Sequence, residues 1–390
     1  MKSFAVLLAF ALAGLSASCS SKGSTTWPPL PDASPHDAAG SHPHDAASDS
    51  ASKDARTGHD AGDATEPADA STSPIVAPND TWTWVDFPES KCASGTATGI
   101  AVNPHAGATE LVIYFEGGGQ CTDATSCWGA MPTANNVAGY DQATFLAAKQ
   151  VNYPPLVRSF ANNPFGAMNL VYIPYCTGDM HFGTVMSTLM VNGAAKPTYF
   201  WGAKDMDLFL ARIVPTFPGA SRVYSYGTSA GGFSSFLNFD RLVRAFGVRV
   251  DIIDDSGPPL TAPGQTNNAH LFTTWAMIPP AGCTACNSLL DIMKFDRQEQ
   301  PGSKVGFLSL SEDTTISVDF GYSLAAYGPA LETLFGASFG SDPNVATYLV
   351  GSDPGHVVES QPALAPDYMP WLTALVIGSA TWASGGIDGG

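Results

Sequence analysis

Short apolar runs recur along the chain: "LVIYF" (111 to 115), "NLVYIPY" (169 to 175), "RVYSY" (222 to 226), "VDIID" (250 to 254), "VGFLSL" (305 to 310) and "ATYLV" (346 to 350). Their β-branched and aromatic residues, with few polar interruptions, predict strands covered on both faces. Between several of them the apolar spacing becomes helical, at 202 to 214, 230 to 246, 286 to 295 and 322 to 335. Buried strands alternating with helices predict an α/β fold, a mostly parallel sheet with helices on both faces. In such sheets the reactive groups belong on loops at the carboxyl ends of the strands.

Ahead of this region the pattern changes twice. Residues 1 to 19, "MKSFAVLLAFALAGLSASC", combine an early lysine, a short apolar stretch and small residues leading to Cys19. This reads as a lipoprotein-type signal with Cys19 as the lipidation candidate, plain secretion being the alternative. Residues 20 to 79 are Ala, Asp, Ser, Pro, Gly and His with hardly a large apolar side chain, so they are expected to form a disordered tether. The "HDA" copies at His36, His44 and His59 are too sparse to argue for a metal site. Residues 80 to 390 remain, long enough for one large domain. That domain carries 13 basic and 26 acidic groups, which excludes nucleic acid as a partner and leaves the lipid as the only expected membrane contact.

With Cys19 set aside, six cysteines are left, an even number that suggests disulfides in an exported chain. Cys121 with Cys127 and Cys283 with Cys286 are the natural local bridges, leaving Cys92 with Cys176, one of the fifteen pairings that six cysteines allow. "CTAC" has no second CxxC or nearby histidine to complete a zinc site, and no metal is expected.

"YSYGTSAGGFSSF" (224 to 236) sets Ser229 in a GxSxG between a predicted strand and a predicted helix. That is the context of a nucleophile elbow, whose small neighbours permit a sharp turn. Four of the eight histidines, His36, His42, His44 and His59, fall in the tether; of the rest, only His270 and His356 follow Ser229. His356, on a Gly- and Pro-punctuated loop after the last strand, is the expected base, whereas His270 reads as a packed helix residue. "YFEGGGQC" lets backbone approach a substrate unhindered, so Gly118 and Gly119, with the amide of Ala230, are the expected oxyanion donors. For the acid, Asp254, Asp255 and Asp313 all end or follow strands between Ser229 and His356, with Glu312 as a neighbouring alternative.

"SKCASGTATGIAVNP", "LVIYFEGGGQCTDATSCWG", "VYIPYCTGD", "YFWGAKDMDLFL", "GTSAGG" and "DDSG" occur in the order and approximate spacing of the pectin acetylesterase family, which the chain resembles over most of residues 82 to 360. The resemblance implies an α/β-hydrolase fold, removal of an acyl group from an ester without a cofactor, and a triad falling on Ser229, Asp313 and His356. The chain departs from plant members at Gln120 and Thr228, changes expected to alter the rim of the site. With an acidic domain, these turn the expected substrate from pectin toward another acylated glycan or a small ester. The expectation is therefore an exported serine carboxylesterase, at the cell surface or outer membrane if Cys19 is lipidated. A hydrolase-fold lipoprotein that merely binds glycan is the alternative.

Overall fold

The structure, a computed structural model, describes residues 72–351 and 354–387. The signal segment, Cys19 and most of the expected tether lie outside the described residues. The packed chain begins ahead of the expected boundary at residue 80. Ile75 is buried and its N–H donates to Thr216 Oγ1 at 2.7 Å.

Among the described residues the chain builds eleven strands: β1 (Thr83–Phe87), β2 (Thr98–Asn103), β3 (Glu110–Phe115), β4 (Asn169–Ile173), β5 (Val185–Val191), β6 (Ala194–Phe200), β7 (Arg222–Thr228), β8 (Arg249–Asp255), β9 (Val305–Leu310), β10 (Val345–Val350) and β11 (Gly385–Ile387). Nine form one sheet in the order β1-β2-β4-β3-β7-β8-β9-β10-β11. The strands from β4 to β11 in that order run parallel, while β1 and β2 are antiparallel additions at one edge. This is the sheet of an α/β hydrolase. The buried apolar runs became its interior strands. β1 and β2, in which polar residues and glycine interrupt the apolar ones, gave no comparable signal.

The helices are α1 (Ala124–Trp128), α2 (Gln142–Ala147), α3 (Gly202–Thr216), α4 (Ala230–Leu237), α5 (Phe239–Phe246), α6 (Ala269–Thr274), α7 (Leu289–Glu299), α8 (Ile316–Asp319), α9 (Leu324–Phe339) and α10 (Ala365–Val376). The continuous helix expected over 230 to 246 is broken at the buried Asn238. Its amide donates to the carbonyls of His181 and Ser234, and its Oδ1 accepts from Arg241, a side-chain competition that interrupts a helix. The separate antiparallel hairpin β5–β6 turns at Asn192 and Gly193, both at positive φ.

Alternate residues of each central strand face opposite layers. Leu111, Ile113 and Phe115 enter one core with Phe209, Phe233 and Ile292; Val112 and Tyr114 enter the other with Tyr224, Tyr226 and Tyr368. Three disulfides join Cys92 to Cys176, Cys121 to Cys127 and Cys283 to Cys286, closing sequence separations of 84, 6 and 3 residues. Chain-entropy scaling assigns about 4.5 kcal/mol to the longest loop and about 2 kcal/mol to the shortest. Removing Cys92–Cys176 with paired serines should therefore lower the urea midpoint more than removing Cys283–Cys286. Equal midpoints for the two double variants would contradict this.

Candidate active site

Ser229 follows β7 directly and has φ 55 and ψ −123, a combination that residues with a Cβ rarely adopt. The surrounding chain enforces it. The Ser229 N–H donates to the carbonyl of Asp255 at 2.7 Å, and its carbonyl accepts the N–H of Phe233 in the first turn of α4. The turn is tight enough that a Cβ on Gly231 would lie 1.9 Å from the Phe115 carbonyl oxygen. Glycine there is a steric requirement of seating α4 against β3.

β3 pairs with β7 so that Phe115 lies opposite Gly227, which carries the glycine run from 117 to 119 past the elbow. Gly117 packs closest: a Cβ on it would come 2.1 Å from the Thr228 carbonyl oxygen and 2.9 Å from Ser229 Cβ. Gly119 and Ala230 line a narrow cleft with Ser229; Met180, Phe233, Ile316 and Phe320 form its apolar wall. Gly118 is not among the residues lining that cleft; it is buried, and its carbonyl accepts the Asn135 N–H at 2.7 Å. Gly119 and Ala230, two of the three expected amide donors, thus line the serine's cleft, and Gly118 does not.

Gln150 was not anticipated. Its Oε1 accepts from the Gly117 N–H and the Thr228 hydroxyl, both at 3.0 Å, and from Tyr114 at 3.1 Å; its Nε2 donates to the Gly117 carbonyl at 2.9 Å. One side chain satisfies both backbone groups of a buried glycine and ties it to the residue before Ser229. Thr228 is accordingly buried inside this network and not on the rim, as its departure from the family pattern had suggested. Gln120 does line the cleft. The sequence held no signal for Gln150, which opens a short 3-10 turn far along the chain from Gly117 and Thr228.

Asp313, fully buried beyond β9, accepts the N–H groups of Thr315 and Ile316 on Oδ1 and meets His356 Nδ1 with Oδ2 at 2.8 Å. With the carboxylate accepting, the ring carries its proton on Nδ1 and presents Nε2 as the basic nitrogen. The two loops are also joined through backbone, because Thr314 N–H donates to the Gly355 carbonyl at 2.7 Å. Asp254 and Asp255 lie at the end of β8 with other partners: Asp254 accepts from Gly257 N–H, and Asp255 accepts from Ser256 Oγ and from the N–H groups of Val358 and Glu359. Burial raises the Asp255 carboxyl to about 6, against those hydrogen bonds.

The other three described histidines are placed differently. His105 pairs with Asp80 near the surface, and His270 lies on the exposed side of α6 instead of packing as expected. His181 is buried behind the glycine loop, with Nε2 3.0 Å from the Glu116 carbonyl. Desolvation holds it neutral, its pKa lowered to about 4. Beneath the same loop, burial raises Glu116 to about 7, opposed by the Tyr175 N–H that its Oε2 accepts. A wider cleft of about 1310 Å³, lined by Phe182, Arg241, Arg244 and Pro279, contains none of Ser229, Asp313 or His356, and both arginines pair with aspartates.

A model of the pectinacetylesterase family matches residues 82–285. The chain belongs to this family. The match spans the glycine loop and Ser229 and ends before Asp313 and His356. Among curated relatives, the palmitoleoyl-protein carboxylesterase NOTUM of Schmidtea mediterranea is 27% identical over 165 residues, 40% of this chain and 30% of that protein. The palmitoleoyl-protein carboxylesterase notum2 of Xenopus laevis is 27% identical over 160 residues, 39% and 30% of the two chains. The chain thus spans about 30% of the length of the curated relatives it matches. The crystal structure of the Wnt deacylase Notum from Drosophila superposes with a TM-score of 0.51 at 18% identity, covering 73% of this chain and 86% of that one, a likeness of fold.

Two predictions follow the polar groups behind this family's glycine loop. Glu116, raised from 4.5 to about 7, binds its proton more tightly folded than unfolded. Its contribution is therefore full below pH 4.5 and is lost as the pH rises through about 7, by about 3 kcal/mol at most. Glu116→Gln removes that loss, so its Tm relative to wild type should be several degrees more favourable at pH 8 than at pH 4.5. A Tm difference independent of pH would contradict the assignment. Gln150→Leu leaves the buried Gly117 N–H and carbonyl unpaired, at about 1–3 kcal/mol each, and should lower stability in urea by at least 2 kcal/mol.

Proposed function

We propose that the protein is a serine carboxylesterase that removes acetyl or another short acyl group from a glycan or small ester. The observation that carries this reading is the 2.8 Å hydrogen bond between buried Asp313 and His356, on loops at the same end of the sheet as the strained Ser229. Ser229 Oγ attacks the ester carbonyl as His356 Nε2 takes its proton, and Asp313 orients the ring and stabilises its cation. The Ala230 amide and the glycine loop stabilise the tetrahedral oxyanion, the alcohol leaves with the proton from His356, and water repeats the sequence on the acyl-enzyme. No step draws on a cofactor.

A short acyl group agrees with the narrow apolar cleft beside Ser229, bounded by Phe233 and Phe320. Three disulfides agree with work in an oxidising compartment. The reading completes that with export on the signal of residues 1 to 19, a lipid on Cys19, and residues 20 to 79 as the tether.

Wild-type protein should turn over p-nitrophenyl acetate and label with a fluorophosphonate, and Ser229→Ala should do neither while remaining folded. Asp313→Asn should keep the fold and lose about 10⁴ in turnover, the loss known for a serine-protease triad, whereas Glu312→Gln should lose little. Near-wild-type turnover by Asp313→Asn would remove Asp313 from the mechanism, and labelling of Ser229→Ala would remove the nucleophile.

A further inference from the structure

We infer that Asp319 makes the cleft beside Ser229 selective for short-acyl esters whose alcohol is uncharged or cationic, and unfavourable to esters bearing a carboxylate near the acyl oxygen. The inference rests on the esterase reading above and adds to it a class of substrate and the residue that chooses it.

Among the residues lining the cleft, Asp319 is the charged one; no lysine or arginine is among them. The residue is exposed, and no ion pair engages it among the described residues. Its position is fixed from both sides. Asp319 ends α8, the four-residue turn whose entry amides, Thr315 and Ile316, donate to Asp313. Next in the chain, Phe320 stacks on Phe233 of α4 at 5.9 Å between centroids and 23° between planes. Asp319 therefore joins the lining of the cleft from the same turn that seats the triad acid. It lies within electrostatic reach of His356 and Asp313.

On this inference, the alcohol of an ester bound at Ser229 is set against this lining. A second carboxylate there meets Asp319 with no lysine or arginine in the lining to offset it. A cationic alcohol gains Asp319 as counter-ion and the Phe320 ring as a π surface. A neutral hydroxyl-rich alcohol can donate a hydrogen bond to the carboxylate.

The test compares three acetate esters, phenyl acetate, 4-acetoxybenzoate and 3-acetoxy-N,N,N-trimethylanilinium, at pH 8 and low salt. Taking variant-to-wild-type ratios of kcat/KM for each ester cancels their differing intrinsic reactivity. Asp319→Asn should raise the anionic-to-cationic preference about 10-fold, and Asp319→Lys should raise it further. Asp319→Glu should keep the wild-type order, and 0.5 M salt should shrink the effect. The same factor on all three esters for both Asn and Lys variants would overturn the inference while leaving the esterase reading intact. Failure of the wild type to turn over phenyl acetate, with no fluorophosphonate labelling, would overturn the esterase reading and this inference with it.

Discussion

The geometry of the site hangs on one buried residue, Asp255. Its backbone carbonyl accepts the N–H of Ser229, and its carboxylate accepts the N–H groups of Val358 and Glu359 just beyond His356. The end of β8 thereby fixes both the serine turn and the histidine loop. Three residues around this junction, Ser229, Ser256 and Val357, have positive φ without being glycine. For a β-branched valine that conformation is costly, of order 1–3 kcal/mol, and it persists only because neighbouring contacts over-determine it. The hydrogen bonds of Asp255 supply that constraint on both loops.

The parts of the molecule legible in the sequence were those whose cause is local. Strands such as "VGFLSL" are apolar on both faces because helices cover both, and the elbow needs glycine because α4 turns back onto β3. Order along the chain singled out Ser229 and His356 as candidates, whereas Asp254, Asp255 and Asp313 all satisfied that order and Asp313 was preferred on the family resemblance. The hairpin β5–β6 did leave a local mark, Asn192–Gly193, between strands whose exposure alternates and which lack a long apolar run.

What could not be read was the set of contacts made across long separations. Gln150 bonds to Gly117 and Thr228, 33 and 78 residues away, and nothing in its own neighbourhood marks it. The aspartate pair that ends β8 was open in sequence as a candidate for the triad acid. Instead, the main-chain carbonyl of Asp255 accepts from the serine turn, while its carboxylate is spent on the histidine loop 103 residues onward. Likewise Thr228 differs from the family pattern at a place that looks peripheral in one dimension and is interior in three.

The close seating of Gly117 against Ser229 has a kinetic corollary. β3 and β7 pair directly although β4, β5, β6 and the three helices α1, α2 and α3 are synthesised between them. Parallel pairing at such separation is slow to form, because the loop must close before any contact rewards it. The backbone cradle around the serine can exist only after that pairing has locked. In a chain where β3 and β7 have not yet paired, the glycine run and the serine therefore lie apart, and the cradle around Ser229 does not exist.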